Sequence, residues 1–448
     1  MTSVTSTRAR DHAEACCSPV VEQRRFLVTP ATAGDHPAIH SFLRSVYQRP
    51  STEEFQAQLD EPSYEPVDRL LVKSQDQIVA HLRVVRREIR WGAQVLPVPW
   101  LADLATLPEY RGQGCASELL QAAERQLQQA GTLVALTQVT SPAFYRRHGW
   151  VACGRQSYSL AGAREILANL QTHAPAGHEP LSPRLPKLHL RYWRYVEQAA
   201  LMRLYDECMR TLSGPGLRRG SYWRWLIGRH ACDRVYVAIE GSPKLELDDT
   251  LARVVGYAFA KGSRVVELAS AQRRPDAAAA LLARVCSEAI ECDLDEIRFD
   301  APPQHPLHAV LVAAGGVHHH REVERGAVCM AKVFDVGELL RTLEPELLAR
   351  VRKGALPWTE ELGLDLAGEK YLLHFSKHRL GFHRGKLGRS YLRCGAAEFT
   401  QLVLGDLDLE QAVHAGRLET SSRRAFLTAS TLFPPRSIWY PPLDDLSA

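Results

Sequence analysis

The sequence predicts an α/β (α+β) protein in which a mixed central sheet flanked by helices occurs twice in tandem and is followed by a smaller α+β unit. A glycine loop joins an apolar strand to an amphipathic helix in the first half of the chain, and a similar succession returns in the second half. Alternating strands and short helices fill the remainder. Because 448 residues are too many for one core, several domains are expected.

The first strand and helix surround a glycine-rich loop. Trp100–Leu107 is apolar almost throughout and is bounded by prolines, which predicts a largely buried strand. Gly112 and Gly114 have no side chains, so that the first backbone amides of the following helix can contact an anion. Arg111 adds a positive charge beside them. These features predict a phosphate cradle; a glycine-capped turn without a ligand is the alternative. The helix, which ends at Gly131, is indicated by a stripe of apolar residues at helical spacing: Ala116, Leu119, Leu120, Ala123 and Leu127.

The residues after this helix complete a recognisable order. Thr132–Trp150 predicts a second strand, a turn, and a short helix that carries Tyr145. With the loop pattern Arg111-x-x-Gly114-x-Ala116, this order resembles the acetyl-CoA-binding half of a GNAT N-acetyltransferase. A P-loop is excluded because no Gly-Lys-Ser/Thr follows at the required spacing.

The second half of the chain repeats the order in altered form. Val265–Ile290 and Asp295–Gly316 again predict strand, loop, helix, strand and helix. The copied loop has no glycine and contains Pro275, whose nitrogen cannot donate to a phosphate. No tyrosine occupies the place of Tyr145. The second domain is therefore expected to form one wall of a substrate site and to make subunit contacts, and it is not expected to bind acetyl-CoA.

The last part of the chain predicts alternating strands over Glu369–Cys394 and two or three short helices after them. It resembles the sterol-carrier-like domain that closes one branch of the GNAT proteins. The whole order resembles the Eis (enhanced intracellular survival) acetyltransferase family, with Ser221–Leu226 (SYWRWL) among its markers. The predicted division is a disordered leader (1–24), an active GNAT domain (25–165), a linker (166–188), a degenerate second GNAT domain (189–326) and a sterol-carrier-like domain (327–448).

The resemblance implies direct transfer of an acetyl group from acetyl-CoA to a primary amine of a small multi-amine molecule, of the aminoglycoside or polyamine class, without a metal. In the family pattern the pantetheine arm runs between the strand edge at Leu104, Ala105 and Thr106 and, on its far side, Thr140 and Ser141. The pyrophosphate is held beside Arg111 by successive amides, those of Gly112, Gln113, Gly114, Cys115, Ala116 and Ser117.

The resemblance also implies an acid and a base. Tyr145 corresponds to the general acid that protonates the CoA sulfur; an aromatic packed in the core is the alternative. The family base is the terminal carboxylate, here that of Ala448, but the tail LDDLSA ends on small residues where the family ends on an aromatic. Asp444 or Asp445 is then the alternative base or the anchor of a cationic substrate, and a frayed tail is the third possibility. Asp103 and His148 are weaker candidates.

Composition limits the other function classes. The net charge of +4 is small, and the basic residues are scattered, which argues against a nucleic-acid partner. No apolar run is long enough to span a membrane. The ten cysteines lack C-x-x-C spacing, which favours free thiols and a cytoplasmic location. Neither a catalytic thiol at Cys115 nor a metal site at Val317–Glu322 is expected.

Two rival functions and one conditional feature remain. The rivals are a protein or peptide lysine acetyltransferase, and a non-catalytic scaffold or lipid-binding protein with a vestigial CoA site. An acidic cleft would favour multi-amine substrates, and four carboxylates supply that acidity if their segment faces the cleft: Glu53, Glu54, Asp60 and Glu61. The resemblance further implies a homo-oligomer, often a hexamer.

Overall fold

The computed structural model describes residues 26–445 except 93, 155–156, 173–185, 242–252, 321–327, 355–359, 377–378 and 437. The predicted leader and most of the predicted linker lie outside these residues. In the first part of the chain the strands and helices are β1 (Val28–Pro30), α1 (His36–Tyr47), α2 (Thr52–Leu59), β2 (Arg69–Ser74), β3 (Gln77–Val85), β4 (Glu88–Trp91), β5 (Gln94–Pro97), β6 (Trp100–Thr106), α3 (Cys115–Gln129), β7 (Val134–Val139), α4 (Pro142–Arg147), β8 (Val151–Ala152), β9 (Ser157–Gly162) and α5 (Ala163–Thr172).

The middle part has a matching series of elements. They are β10 (Leu188–Tyr192), α6 (Gln198–Met209), α7 (Gly220–Gly228), β11 (Arg234–Glu240), β12 (Val254–Lys261), β13 (Arg264–Ser270), α8 (Pro275–Glu291), β14 (Glu296–Asp300), α9 (Leu307–Ala313), β15 (Val317–His320) and β16 (Val328–Val333).

The last part combines strands with short helices, as the sequence predicts. Its elements are α10 (Val336–Thr342), α11 (Glu344–Lys353), β17 (Glu360–Leu366), β18 (Glu369–Phe375), β19 (Leu380–Arg384), β20 (Tyr391–Cys394), α12 (Ala396–Val403), α13 (Leu409–His414), β21 (Leu418–Thr420) and α14 (Arg423–Leu432).

Two seven-stranded sheets share one strand order. The first runs β1-β2-β3-β6-β7-β16-β8 and the second β10-β11-β12-β13-β14-β9-β15. The sixth strand of each sheet comes from the other part of the chain, because β16 lies between β7 and β8 while β9 lies between β14 and β15. The predicted tandem α/β class is therefore confirmed. The predicted division at residues 165 and 326 does not include this strand exchange, since β9 precedes the first boundary and β16 follows the second.

Each sheet has its own core, and the last part packs on the first sheet. Helix α3 buries Leu119 and Leu120 against the first sheet, while Trp223 of α7 packs in the core of the second. The five-stranded sheet β19-β18-β17-β20-β21 shares one apolar cluster with Leu136 of β7 and Ala331 of β16. Its likeness to a sterol-carrier domain stays a prediction. In the described part of the chain no helix is long and apolar enough to cross a membrane.

Strand β6 is less buried than its sequence predicts. Only Leu101 and Ala105 are buried in it, and the other five side chains are partly exposed. The expectation of a largely buried strand is therefore wrong, and the physical reason is local. Beyond Leu101 the strand no longer pairs with β7, although it stays paired with β3 on its other edge.

Candidate active site

The first sheet opens between strands β6 and β7. Main-chain pairing between them is limited to Trp100 with Leu136 and Leu101 with Thr137. Strand β7 continues beside β16, whereas β6 diverges. The β7-facing edge of β6 over 104–106 is thus left without a strand partner among the described residues. An extended chain such as a pantetheine arm can pair with an edge of this kind.

A bulge in β6 produces this divergence. Asp103 has a φ of +54°, and the pairing of β6 with β3 shifts register opposite it. Arg83 Nε donates to the Asp103 carboxylate at 2.9 Å. Burial, aided by the charge of Arg69, lowers the pKa of His81 to about 3. The neutral ring therefore donates from Nδ1 to the Asp103 carbonyl at 2.9 Å, and this bond holds the bulge.

Tyr47 joins the bulge to helix α1. Its hydroxyl donates to the Leu104 carbonyl at 2.5 Å. Burial, reinforced by the charge of Asp103, raises the pKa of Tyr47 to about 12, although Arg111 opposes the shift. The hydroxyl therefore stays protonated at neutral pH and remains a donor. The carbonyl of Leu104, the first residue of the open edge, is thereby engaged.

The glycine loop between β6 and α3 fits a phosphate group. Gly112 and Gly114 have φ values of +76° and +94°, and a Cβ at either would meet no atom within 4 Å. The left-handed backbone is therefore what favours glycine, and the space above the loop is open. The first amides of α3 have no intrahelical acceptor. Arg111 Nε donates to the Thr106 carbonyl at 3.3 Å, which holds its guanidinium beside the strand end.

The other predicted cofactor residues lie around this loop. Ser117 Oγ is 3.2 Å from His148 Nε2, so His148 belongs to the loop side of the site and is not a base facing an acceptor. Thr140 and Ser141 are exposed between β7 and α4, on the far side of the opening. Burial raises the pKa of the Cys115 thiol, which agrees with a backbone contact rather than a nucleophile. Two further loop residues are at least partly exposed: Gln113 and Ala116. Their contacts with acetyl-CoA stay predictions.

Tyr145 lies at the inner end of the opening. Its ring meets Phe144 and Trp150 edge-on, with centroids 5.1 and 5.8 Å away, so the packing expected of a core aromatic is present. Its hydroxyl nevertheless interacts with Thr137, the last residue of β7 that pairs with β6. Burial, with a smaller contribution from Tyr47, raises the pKa of Tyr145 to about 12 against the effect of Thr137. The hydroxyl is therefore protonated at neutral pH.

A cavity of about 520 Å³, here called the interdomain cavity, lies on the other side of β6. The second part of the chain supplies one wall through α7, and Trp225 Nε1 of that helix donates to the Ala57 carbonyl of the α2 segment at 2.7 Å. The principal wall residues are Tyr47, Trp100, Asp103, Trp225, Arg229 and Asp445. The expectation that the second domain walls a site is in agreement with this arrangement.

The four conditional carboxylates divide into two groups. Glu54 and Glu61 line the interdomain cavity, whereas Glu53 and Asp60 do not. Glu61 forms an ion pair with Arg87. The segment therefore faces the cavity, but only part of its negative charge reaches the interior.

Four hydrogen bonds from Arg218 fix the tail of the described chain. Arg218 is fully buried and donates to both oxygens of Asp444, at 3.0 and 2.9 Å, and to both oxygens of Glu267, at 2.8 and 2.6 Å. Tyr222 adds a third bond to Asp444 at 3.0 Å. The tail is thus held through residue 445 rather than frayed. Both oxygens of Asp444 are occupied, which leaves this residue unsuited to act as a base.

Asp445 faces the interdomain cavity. It is an exposed residue of the described chain and lines the cavity together with Asp444 and Arg229. Burial, with the neighbouring charge of Asp444, raises the pKa of Asp445 to about 7, and the guanidiniums of Arg87 and Arg229 oppose this shift. Ala448, the expected base, lies outside the described residues.

The degenerate loop of the second half is closed by its own side chains. Pro275 begins helix α8, and the buried Arg274 donates to both carboxylate oxygens of Asp276, at 2.9 and 2.7 Å. Arg274 also pairs with Glu240 at 2.5 Å. A carboxylate of the chain thus already lies at this helix start, where the first half leaves an open cradle. In addition, the described residues contain no group of three or more His, Cys, Asp or Glu side chains arranged to hold a metal.

Comparison with known proteins agrees with this geometry. Residues 28–153, which contain the glycine loop and Tyr145, match the family described as acetyltransferase (GNAT) domain. This part of the chain is a GNAT acetyltransferase domain. The enzyme class that it indicates is that of an N-acetyltransferase, whose acetyl donor is acetyl-CoA. A search of curated protein sequences gave no significant match.

The fold of the chain resembles solved structures over nearly its whole length. A GCN5-related N-acetyltransferase from Anabaena variabilis has a TM-score of 0.68 at 15% identity, covering 93% of this chain and 99% of that one. A probable N-acyltransferase from Enterococcus faecalis gives 0.68 at 13%, covering 92% and 97%. Eis1 from Mycobacterium abscessus gives 0.61 at 15%, covering 92% and 97%. At these identities the likeness concerns the fold.

Proposed function

We propose that the protein transfers the acetyl group of acetyl-CoA directly to a primary amine of a small molecule. The observation that carries this proposal is that the β6–β7 opening and the interdomain cavity adjoin each other at the bulge of β6. On one side lies the opening with the glycine loop, and on the other lies the interdomain cavity. Tyr47 connects them, since it lines the cavity and donates to the carbonyl of Leu104, the first residue of the open edge.

On the donor side, the first amides of α3 and Arg111 would hold the pyrophosphate, and the open edge over 104–106 would pair with the pantetheine arm. Acetyl-CoA supplies the activated thioester. An amide of this edge would donate to the thioester carbonyl as negative charge develops on its oxygen. Tyr145, which is protonated at neutral pH, would donate to the departing sulfur.

On the acceptor side, Asp445 is the proposed base. A primary amine of the lysine type has a pKa of about 10.4 and is protonated at neutral pH, so it must lose a proton before it attacks. A carboxyl whose pKa lies near 7 is suited to that task at neutral pH. The terminal carboxylate of Ala448 remains the alternative base. Deletion of residues 446–448 distinguishes these two candidate bases, because it removes Ala448 and keeps Asp445.

The rival functions receive less support. A lysine acetyltransferase needs an open groove for a polypeptide, whereas the interdomain cavity is bounded by α1, α7 and the tail. A vestigial CoA site is disfavoured by the intact glycine loop, with two positive-φ glycines and open space above them. Aminoglycoside or polyamine acceptors, a homo-oligomer, a cytoplasmic location and a sterol-carrier-like last domain remain predictions from the sequence resemblance.

Substitutions at two glycines, one in the loop and one at a distant turn, test whether the glycine loop binds acetyl-CoA. Gly114→Glu places a carboxylate in the cradle, while Gly368→Glu makes the same change at an exposed turn with φ +101° and open space around it. Both changes carry a left-handed backbone cost of roughly 1–2 kcal/mol. We expect only Gly114→Glu to abolish acetyl-CoA binding, measured by calorimetry, and thiol release with a panel of polyamines, aminoglycosides and amino acids. Unchanged binding in Gly114→Glu would contradict the proposal.

A further inference from the structure

Some of the charged side chains that line the interdomain cavity have a partner of opposite charge, and others have none among the described residues. Five carboxylates and four guanidiniums line it. Asp103 is paired with Arg83 at 2.9 Å, and Glu61 is paired with Arg87. Asp444 is neutralised by Arg218, outside this cavity. These carboxylates already have cationic partners within the protein.

Glu54 and Asp445 are the remaining carboxylates. Glu54 Oε2 accepts from the Ser51 amide at 2.7 Å and completes the N-terminal cap of α2, so this carboxylate is engaged by its own helix. Asp445 receives no hydrogen bond from any described side chain. Among the carboxylates that line the cavity, Asp445 is therefore the one available to a bound ammonium group.

Arg49 and Arg229 are the guanidiniums that lack a carboxylate partner among the described residues. Arg229 stacks on Trp225, with 4.5 Å from its guanidinium carbon to the ring centroid, and donates to the Leu443 carbonyl. Its Nε is buried and has no hydrogen-bond partner. Arg49 is exposed at the edge of the cavity. Two cationic groups without a carboxylate partner thus line the same cavity as one available carboxylate.

We propose that the acceptor carries an acidic group, such as a carboxylate, in addition to the amine that is acetylated. This inference rests on the proposed function. The amine would lie at Asp445 and the acidic group at Arg229 and Arg49, so that the bound molecule completes the pairing of the cavity charges. A polycation would meet one free carboxylate and be repelled by two guanidiniums, so this inference departs from the aminoglycoside or polyamine class that the sequence resemblance implies.

Three amines of equal length test this inference: 5-aminopentanoate, pentylamine and 1,5-diaminopentane. They differ only in the group opposite the amine, which is anionic, neutral or cationic. We expect kcat/KM, followed as thiol release from acetyl-CoA, to be at least about tenfold higher for the amino acid than for the diamine. Arg229→Gln and Arg49→Gln should each reduce this preference. Arg44→Gln, an exposed arginine of α1 that does not line the cavity, should leave it unchanged.

Binding of the same three compounds, measured by calorimetry with coenzyme A present, makes the test independent of turnover. Equal or tighter binding of the diamine would overturn the inference, as would a preference for the amino acid that survives both arginine variants. Thiol release with the diamine but without any charge preference would leave the acetyltransferase proposal intact. Failure to bind acetyl-CoA would instead contradict the proposed function itself.

Discussion

Replacing Arg218 by methionine removes the cation that joins the tail to the second sheet. Arg218 is fully buried, and its four hydrogen bonds to Glu267 and Asp444 leave those carboxylates dependent on it. Removing one partner of a buried ion pair costs about 3–5 kcal/mol, because the remaining charge is uncompensated. We therefore expect Arg218→Met to lower the free energy of unfolding by about this amount.

The neighbouring arginine is a matched control. Arg219 has 71% of its side chain exposed and, among the described residues, forms an ion pair with Glu88 alone, at 2.8 Å. An exposed pair of this kind contributes about 0–1 kcal/mol, so Arg219→Met should be nearly neutral. Denaturant unfolding measures both variants, and acetyl-CoA calorimetry on Arg218→Met shows whether the cradle remains folded. We expect binding to persist while kcat falls, since the tail loses its anchor. Equal, small effects of the two substitutions would refute this reasoning.

The remaining predictions concern the tail carboxylate. Since Asp445 accepts a proton only when ionised, the rate should rise with pH through about 7, and Asp445→Asn should remove that inflection and lower kcat. Deleting residues 446–448 should spare the inflection; if the deletion removes it and Asp445→Asn does not, the base is the terminal carboxylate. Because the folded-state pKa of Asp445 is raised, the folded protein binds more protons than the unfolded one between about pH 4 and 7, and this group's contribution to stability decreases as pH rises through that interval. Asp445→Asn should therefore raise the melting temperature at pH 8 and change it little at pH 4, as differential scanning calorimetry would show.

The glycine loop and its flanking helix could be predicted because their signals are local. Gly112, Gly114 and the apolar stripe ending at Gly131 lie within one short segment, and α3 begins and ends close to the predicted positions. The structure differs from the prediction at the first residue of the stripe, because Cys115 rather than Ala116 is buried there.

The features that the sequence did not predict depend on contacts between distant segments. Nothing local in β9 or β16 indicates that each strand pairs in the other sheet. Arg218 lies 226 residues from Asp444, and no spacing rule joins them. Ser221–Leu226 is a marker in the sequence, but only the folded arrangement shows that Tyr222 holds the tail and that Trp225 lines the cavity.

The most direct test of the proposed chemistry is acetyl-CoA turnover by Tyr145→Phe beside the unaltered enzyme, with acetyl-CoA affinity measured on the same preparations. The substitution removes one hydroxyl and keeps the aromatic packing against Phe144 and Trp150. Loss of a general acid should lower kcat by about 10²–10⁴-fold while the dissociation constant for acetyl-CoA stays nearly unchanged. Normal turnover, or a large loss of affinity with kcat preserved, would contradict the role assigned to Tyr145.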